Sequence, residues 1–257
     1  MCNQFRTLQQ LELFERKFGV PLPDGEWRDE VYPGYLAPIV RRPRGGPPGS
    51  RESVLAKFGL LPANSKTEKL EFSTMNARDD RIQSARSYKQ PFANRQWCII
   101  PAIRFYEPFY DLEQWASGNR RSQRFGISRA DGQPVGIAGL WELWKRHPDD
   151  EEGIHSFTMV TLNADQHPLL HRFHRPFDNE GNPEEKRTVA LLREAEFDAW
   201  LDTSPSKAPD FFHTFPAEDL VAAPFPEQPR ARKVKVVKSK TTAVDTSNSV
   251  QAGFDFD

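Results

Sequence analysis

Cys2 is the residue around which chemistry could be organised. Aminopeptidases that remove an initiator Met generally act before a small residue, and their action would make Cys2 the true N-terminus. An N-terminal cysteine carries an amine and a thiol on neighbouring carbons. The α-amine has a pKa of ~7.7–8.0, far below lysine, so an appreciable neutral fraction exists at neutral pH. Such an amine attacks an aldehyde to give an imine. The adjacent thiol then closes a five-membered thiazolidine ring, a step that proximity makes effectively unimolecular. Taken alone, however, Cys2 is more often just a small residue near a chain end.

Three other groups could serve such a centre. The stretch STMNARDDR holds Asn76, Arg78, Asp79, Asp80 and Arg81, with Arg86, Lys89 and Arg95 following and Tyr88 and Phe92 interleaved. An amide there could hold a reacting group, and guanidinium groups grip phosphate bidentately. Interleaved aromatics are common in single-strand binding grooves. The bland alternative is a polar loop after a strand. Glu107 ends the apolar run RFYEP, where partial burial would raise its pKa and suit it to acid–base work; the alternative is a surface carboxylate paired with an arginine. Finally, TLNADQHPLLHRFHRP carries His167, His171 and His174. His171 and His174 have a three-residue spacing, but a metal site needs convergent ligands, and beside this pair no clear third partner is visible. One histidine moving a proton is the sharper reading, because its pKa lies near working pH.

These residues need elements to position them. Thr7 with Gln10 fits a capping box, Leu8, Leu11, Phe14 and Phe18 fall at helical spacing, and Gly19 supplies a stop. Residues 21–50, rich in Pro, Gly and Arg, read as loop, with RRPRGGPPGS as a mobile basic loop at their end. Strands are predicted at WCIIPAIRFYE, PVGIAGLW and SFTMVTL, and an amphipathic helix at LLREAEFDAWL. From residue 228 the composition turns basic and then Ser/Thr-rich, which predicts a domain over residues 1–227 and a disordered basic tail over 228–257.

Composition sets the outer bounds. The 257 residues fit one large domain, and 19 Phe and 6 Trp fill a core despite an apolar share of only 37%. A net charge of −1 leaves room for a local basic groove. Two cysteines, Cys2 and Cys98, suggest neither a disulfide framework nor a metal cluster. No secretory signal or membrane-spanning apolar run is visible. The expectation is a reducing cytoplasmic setting, nucleoid-associated in a bacterium, with no membrane partner.

The order of the motifs resembles the SOS response-associated peptidase (SRAP) family. MCNQF stands where the family has Met-Cys-Gly-Arg-aromatic, FGLLP where it has Trp-Gly-Leu-[Ile/Val]-Pro, and NARDD where it has Asn-Ala-Arg-x-Glu. CIIPAIRFYEP resembles the strand ending Phe-Tyr-Glu-Trp, and RFHRPFDNEGNPEEKRTVALL the His-x-Arg-Met-Pro region. The resemblance spans about residues 1–203 and implies a covalent binder of abasic sites in single-stranded DNA. It implies an α+β fold, a single domain with a strongly bent, mainly antiparallel, barrel-like β-sheet and peripheral helices.

Carried over, Cys2 is the nucleophile that forms the thiazolidine link. Asn76 orients the amine, Glu107 shuttles protons, and His174 assists at the sugar's leaving oxygen. Arg78 and Arg86 hold the flanking phosphates, Thr161 lines the pocket, and Phe58 stands at the family's Trp position, where a base could stack. No cofactor or metal is implied. The peptidase label implies removal of the family's own first residue, here Met1. Departures fall at Asn3, Gln4, Phe58, Asp80 and Pro108, and bear on DNA affinity more than on Cys2 chemistry. The alternatives are a thiol-dependent peptidase with His174 as base and a noncatalytic single-stranded DNA-binding protein. The chain is expected to act as a monomer. Its QAGFDFD end has a faint likeness to sliding-clamp peptides, which makes the replication machinery a candidate partner beside the plainer reading of a disordered end.

Overall fold

The computed structural model describes residues 2–226; the tail expected over residues 228–257, with its clamp-peptide-like end, lies outside them. In chain order the elements are β1 (Phe5–Thr7), α1 (Leu11–Phe18), β2 (Glu30–Val31), β3 (Leu36–Arg41), β4 (Glu52–Phe58), β5 (Asn76–Arg78), α2 (Lys89–Ala93) and β6 (Trp97–Phe109). There follow α3 (Leu112–Ala116), β7 (Gln123–Arg129), β8 (Val135–Trp144), β9 (Ile154–Asn163), β10 (Arg187–Val189), β11 (Leu191–Leu192), α4 (Phe197–Asp202) and β12 (Leu220–Pro224).

Five of these strands close on themselves. β6 pairs with β8, β8 with β9, β9 with β4, β4 with β3, and β3 returns to β6. Among the described residues only the β4–β9 and β5–β9 pairs are parallel, so the expected bent, mainly antiparallel barrel with peripheral helices is what forms. Successive strand residues point to opposite faces, and this alternation sorts the core into two layers. Ile39, Phe58, Cys98, Ile100, Ile137, Phe157 and Met159 fill the interior together with Cys2 and Phe5. Val40, Trp97, Ile99, Leu140, Val160 and Leu162 face outward, where Phe14, Phe18, Phe92 and Trp200 of the helices cover them. Gly139 is required inside: a Cβ there would lie 2.5 Å from both Ile100 Cδ1 and the Thr158 carbonyl.

Some expectations need correction. Thr7 forms no capping box; it ends β1, where the pull of β6 exceeds local helix signals, and its hydroxyl donates to the Pro101 carbonyl at 3.1 Å. Helix α1 starts only at Leu11, with Gln10 as a cap that makes no side-chain bond, and ends as expected on Gly19 at φ 72°. Residues 21–50 are not all loop, because β3 is a nearly fully buried strand. Pro38 obscured it, and is tolerated because β3 bonds to β6 only at Val40 and Arg41, beyond the proline. The expected helix at residues 191–201 divides into β11, a 3-10 turn and α4. Among the described residues, no helix is long and apolar enough to cross a membrane.

Candidate active site

Three chain segments meet at one end of the barrel interior. The N-terminal segment is held by β1, which lies antiparallel to β6 with Phe5 opposite Phe105. The Tyr106 amide donates to the Gln4 carbonyl at 3.0 Å. Cys2 is thereby drawn inside and is only 1% exposed. Its thiol donates to the Gln4 carbonyl at 3.4 Å and reaches the Tyr106 carbonyl at 3.9 Å.

The second segment is β5, set beside β9 with Asn76 opposite Met159 and Arg78 opposite Thr161. Because Ala77 faces the outer layer, alternation turns Asn76 and Arg78 to the Cys2 side. Asn76 Nδ2 donates to the Cys2 carbonyl at 2.8 Å, and Tyr88 Oη donates to the Asn76 carbonyl at 3.1 Å. The third segment is the turn after β9. His174 adopts φ 67°, a left-handed conformation costly for a residue with a Cβ, and its amide donates to the Pro108 carbonyl at 2.7 Å. The strain turns the ring inward, so that Nε2 lies 3.1 Å from Glu107 Oε2 and 3.0 Å from the Arg187 carbonyl. A carbonyl only accepts, so Nε2 carries the hydrogen.

Burial sets the protonation. Glu107 is 3% exposed, and desolvation pushes its carboxyl up to about 8, with the Cys2 thiol drawing it back slightly. Near neutral pH Glu107 therefore holds its proton and is an acid. Desolvation holds the His174 imidazole down to about 3, so it is neutral. Desolvation, followed by the charge of Glu107, pushes the Cys2 thiol well above its ordinary value. Although thiol and carboxyl adjoin, neither Glu107 oxygen accepts a well-aligned hydrogen bond. Asn76 Oδ1 and Thr161 Oγ1 are also buried and unpaired. Buried polar atoms are nearly always satisfied, so Asn76 Oδ1 and Thr161 Oγ1, beside a Glu107 carboxyl held only loosely by Cys2 and His174, read as a site shaped for something polar.

The structure thus brings Cys2, Asn76, Glu107 and His174 together, with Thr161 on the inward face of β9. It separates others. Phe58 is corrected: at 1% exposure its ring stacks on Phe157 inside the barrel, with centroids 5.2 Å apart, and offers no face to a base. Arg78 is gripped by Asp80 at 2.8 Å and Glu185 at 2.8 Å. Arg86 is exposed and forms no ion pair among the described residues. His167 Nδ1 accepts from two backbone amides while Nε2 meets the Phe215 carbonyl at 2.7 Å, so that ring fastens a loop. Among the described residues, no cluster of three or more His, Cys, Asp or Glu could hold a metal.

Two contributors were missed in the sequence. Arg187, 4% exposed, bonds Asp79, Glu185 and the Thr161 carbonyl while its own carbonyl holds His174. Glu30 lies in what was read as loop, yet it binds both Gln4 and Tyr106. No local pattern announces either, because their partners are distant in sequence.

Comparison with known proteins decides the family. The profile described as "SOS response associated peptidase (SRAP)" matches residues 1–228. The chain belongs to the SRAP family. It is 24% identical over 230 residues to the abasic site processing protein YoqW of Bacillus subtilis, covering 86% of this chain and 91% of that one. It is 25% identical over 142 residues to the abasic site processing protein HMCES of Pongo abelii, covering 45% and 39%. A crystal structure of a Bordetella bronchiseptica protein aligns with this SRAP chain at a TM-score of 0.75 and 31% identity, covering 88% and 100%.

Proposed function

We propose that this SRAP protein processes abasic sites in single-stranded DNA, forming a thiazolidine link through Cys2 once Met1 is removed. Family membership and the relatives' names support DNA abasic sites as the substrate class. The observation that carries the reading is the meeting of Cys2, Asn76, Glu107 and His174 in one cluster, with Cys2, Glu107 and His174 buried and Asn76 Oδ1 left unpaired beside them.

The chemistry follows from the protonation states. An abasic deoxyribose is a cyclic hemiacetal in equilibrium with an open aldehyde. Ring opening breaks the bond from C1′ to the ring oxygen; the Glu107 carboxyl takes the anomeric hydroxyl's proton on one oxygen as it gives its own to the ring oxygen, where His174 assists by a hydrogen bond from Nε2. The Cys2 amine, with Asn76 beside it, adds to the aldehyde carbon, and Glu107 as acid helps expel water. The thiol then adds to the imine carbon and its proton passes to the imine nitrogen. One water is released overall and no redox partner is needed. A thiol held well above its ordinary pKa is a poor opening nucleophile. That favours amine attack first, and it disfavours a peptidase that would need a thiolate with His174 as its base. Arg86 and Arg78 would grip flanking phosphates, Arg78 by exchanging Asp80 for phosphate.

Intact mass spectrometry tests this. The protein incubated with a single-stranded oligonucleotide carrying one abasic site should give an adduct equal to the two masses, less Met1 and less one water. An adduct retaining Met1, or none despite complete Met1 loss, would contradict the proposal; turnover of peptides without adduct would support the peptidase reading instead.

A further inference from the structure

The geometry points to Glu30 as a positioning residue that holds the Cys2 segment in register for reaction; this rests on the function proposed above. Three side chains converge on its carboxylate. Tyr106 Oη donates to Oε1 at 2.6 Å, Gln4 Nε2 donates to Oε2 at 3.0 Å, and Arg124 Nη2 reaches Oε2 at 2.5 Å. Gln4 and Tyr106 are also the two residues whose carbonyls receive the Cys2 thiol. They are joined again by the bond from the Tyr106 amide to the Gln4 carbonyl. Glu30 therefore fastens, from the far side of the strand pair, both walls of the notch in which the sulfur rests.

The clamp is well formed. Gln4 and Tyr106 are 5% and 2% exposed, and the Arg124 guanidinium lies 3.4 Å from the centre of the Tyr106 ring. Backbone pairing reinforces it, because Glu30 stands opposite Arg6 and Val31 opposite Phe5 at the start of β1. Without Glu30, β1 retains three paired residues, and Gln4, just before it, loses its side-chain tie to β2. A chain end of that length frays readily. Since a displacement of about 1 Å can cost on the order of a hundredfold in rate, the tie belongs to the reaction although Glu30 touches no reacting atom.

The test uses the full chain after Met1 removal, with Glu30→Ala and Glu30→Gln compared with wild type and Cys2→Ala. Single-turnover crosslinking at saturating abasic DNA should slow roughly tenfold or more in Glu30→Ala, with half-saturation changed less than about twofold, and Glu30→Gln should fall between. Iodoacetamide labelling followed by peptide mapping is read in parallel. Cys2 should label roughly tenfold faster in Glu30→Ala while buried Cys98 does not change. Unchanged Cys2 labelling, equal acceleration at Cys98, or normal crosslinking despite faster Cys2 labelling would each overturn the assignment. Absence of crosslinking in wild type would sink the proposed function, and the labelling arm would still decide whether Glu30 holds Cys2.

Discussion

Burial moves the pKa values of two side chains of the site, and each leaves a signature in stability. Folded Glu107 keeps its proton to about pH 8, whereas the unfolded chain releases it near 4.5. Between those values the folded state binds more protons, so stability falls as pH rises. Glu107→Gln should remove that slope, worth of order a few kcal/mol at its upper end, in urea midpoints measured from pH 4.5 to 8.5. His174 works in the opposite direction. Its folded pKa of about 3 lies below an ordinary 6.5, so stability is present above 6.5 and is lost as pH falls toward 3. His174→Asn should flatten the acid limb, and because Asn tolerates positive φ it should fold better than His174→Ala. Crosslinking by Glu107→Gln should fall ~10²–10⁴-fold, as for loss of a general acid. Most of these residues were legible because each carries its own chemistry: an N-terminal thiol, an amide in NAR, an acid ending an apolar strand. Phe58 was misjudged since an aromatic fits a core and a stacking surface equally well, and only the barrel closure decides.

At the scale of elements, register delivers the side chains. The Arg78–Thr161 pairing and the β10–β9 pairing of Val189 with Thr161 place Arg187 where it can bond Asp79, Glu185 and the Thr161 carbonyl. Arg187→Met leaves Asp79 and the Thr161 carbonyl without their donor while Glu185 keeps Arg78, and should cost ~1–3 kcal/mol, measured by denaturant unfolding. A cost under about 1 kcal/mol would show that the network is not what fixes β10. Gly139→Ala should cost ~1–3 kcal/mol by overpacking the barrel interior. The long strands β6, β8 and β9 were readable from their apolar runs. The three-residue β5 was not, since a motif rich in Asn, Arg and Asp has the composition of a loop and becomes strand only by pairing with β9. Likewise β3 hid behind Pro38, and the Thr7 capping signal yielded to pairing with β6.

For the whole molecule, affinity and chemistry should separate. Phosphate contacts depend on salt while a covalent ring does not. Removing Arg86 with Arg78, or deleting the basic residues 228–257, should weaken noncovalent binding and shallow its salt dependence by about 0.7 per phosphate lost. Crosslinking at saturating DNA should remain, as measured by filter binding beside single-turnover assays. The barrel class was legible from the family resemblance more than from periodicity, because ring closure depends on the β4–β9 and β3–β6 pairings, between segments more than fifty residues apart. The most direct test of the central claim is denaturing gel electrophoresis of wild type and Cys2→Ala, freed of Met1, with single-stranded DNA carrying one abasic site. A heat-stable shifted band from wild type alone is the predicted result. An equal band from Cys2→Ala, or none from wild type, would contradict Cys2 as the residue that bonds the lesion.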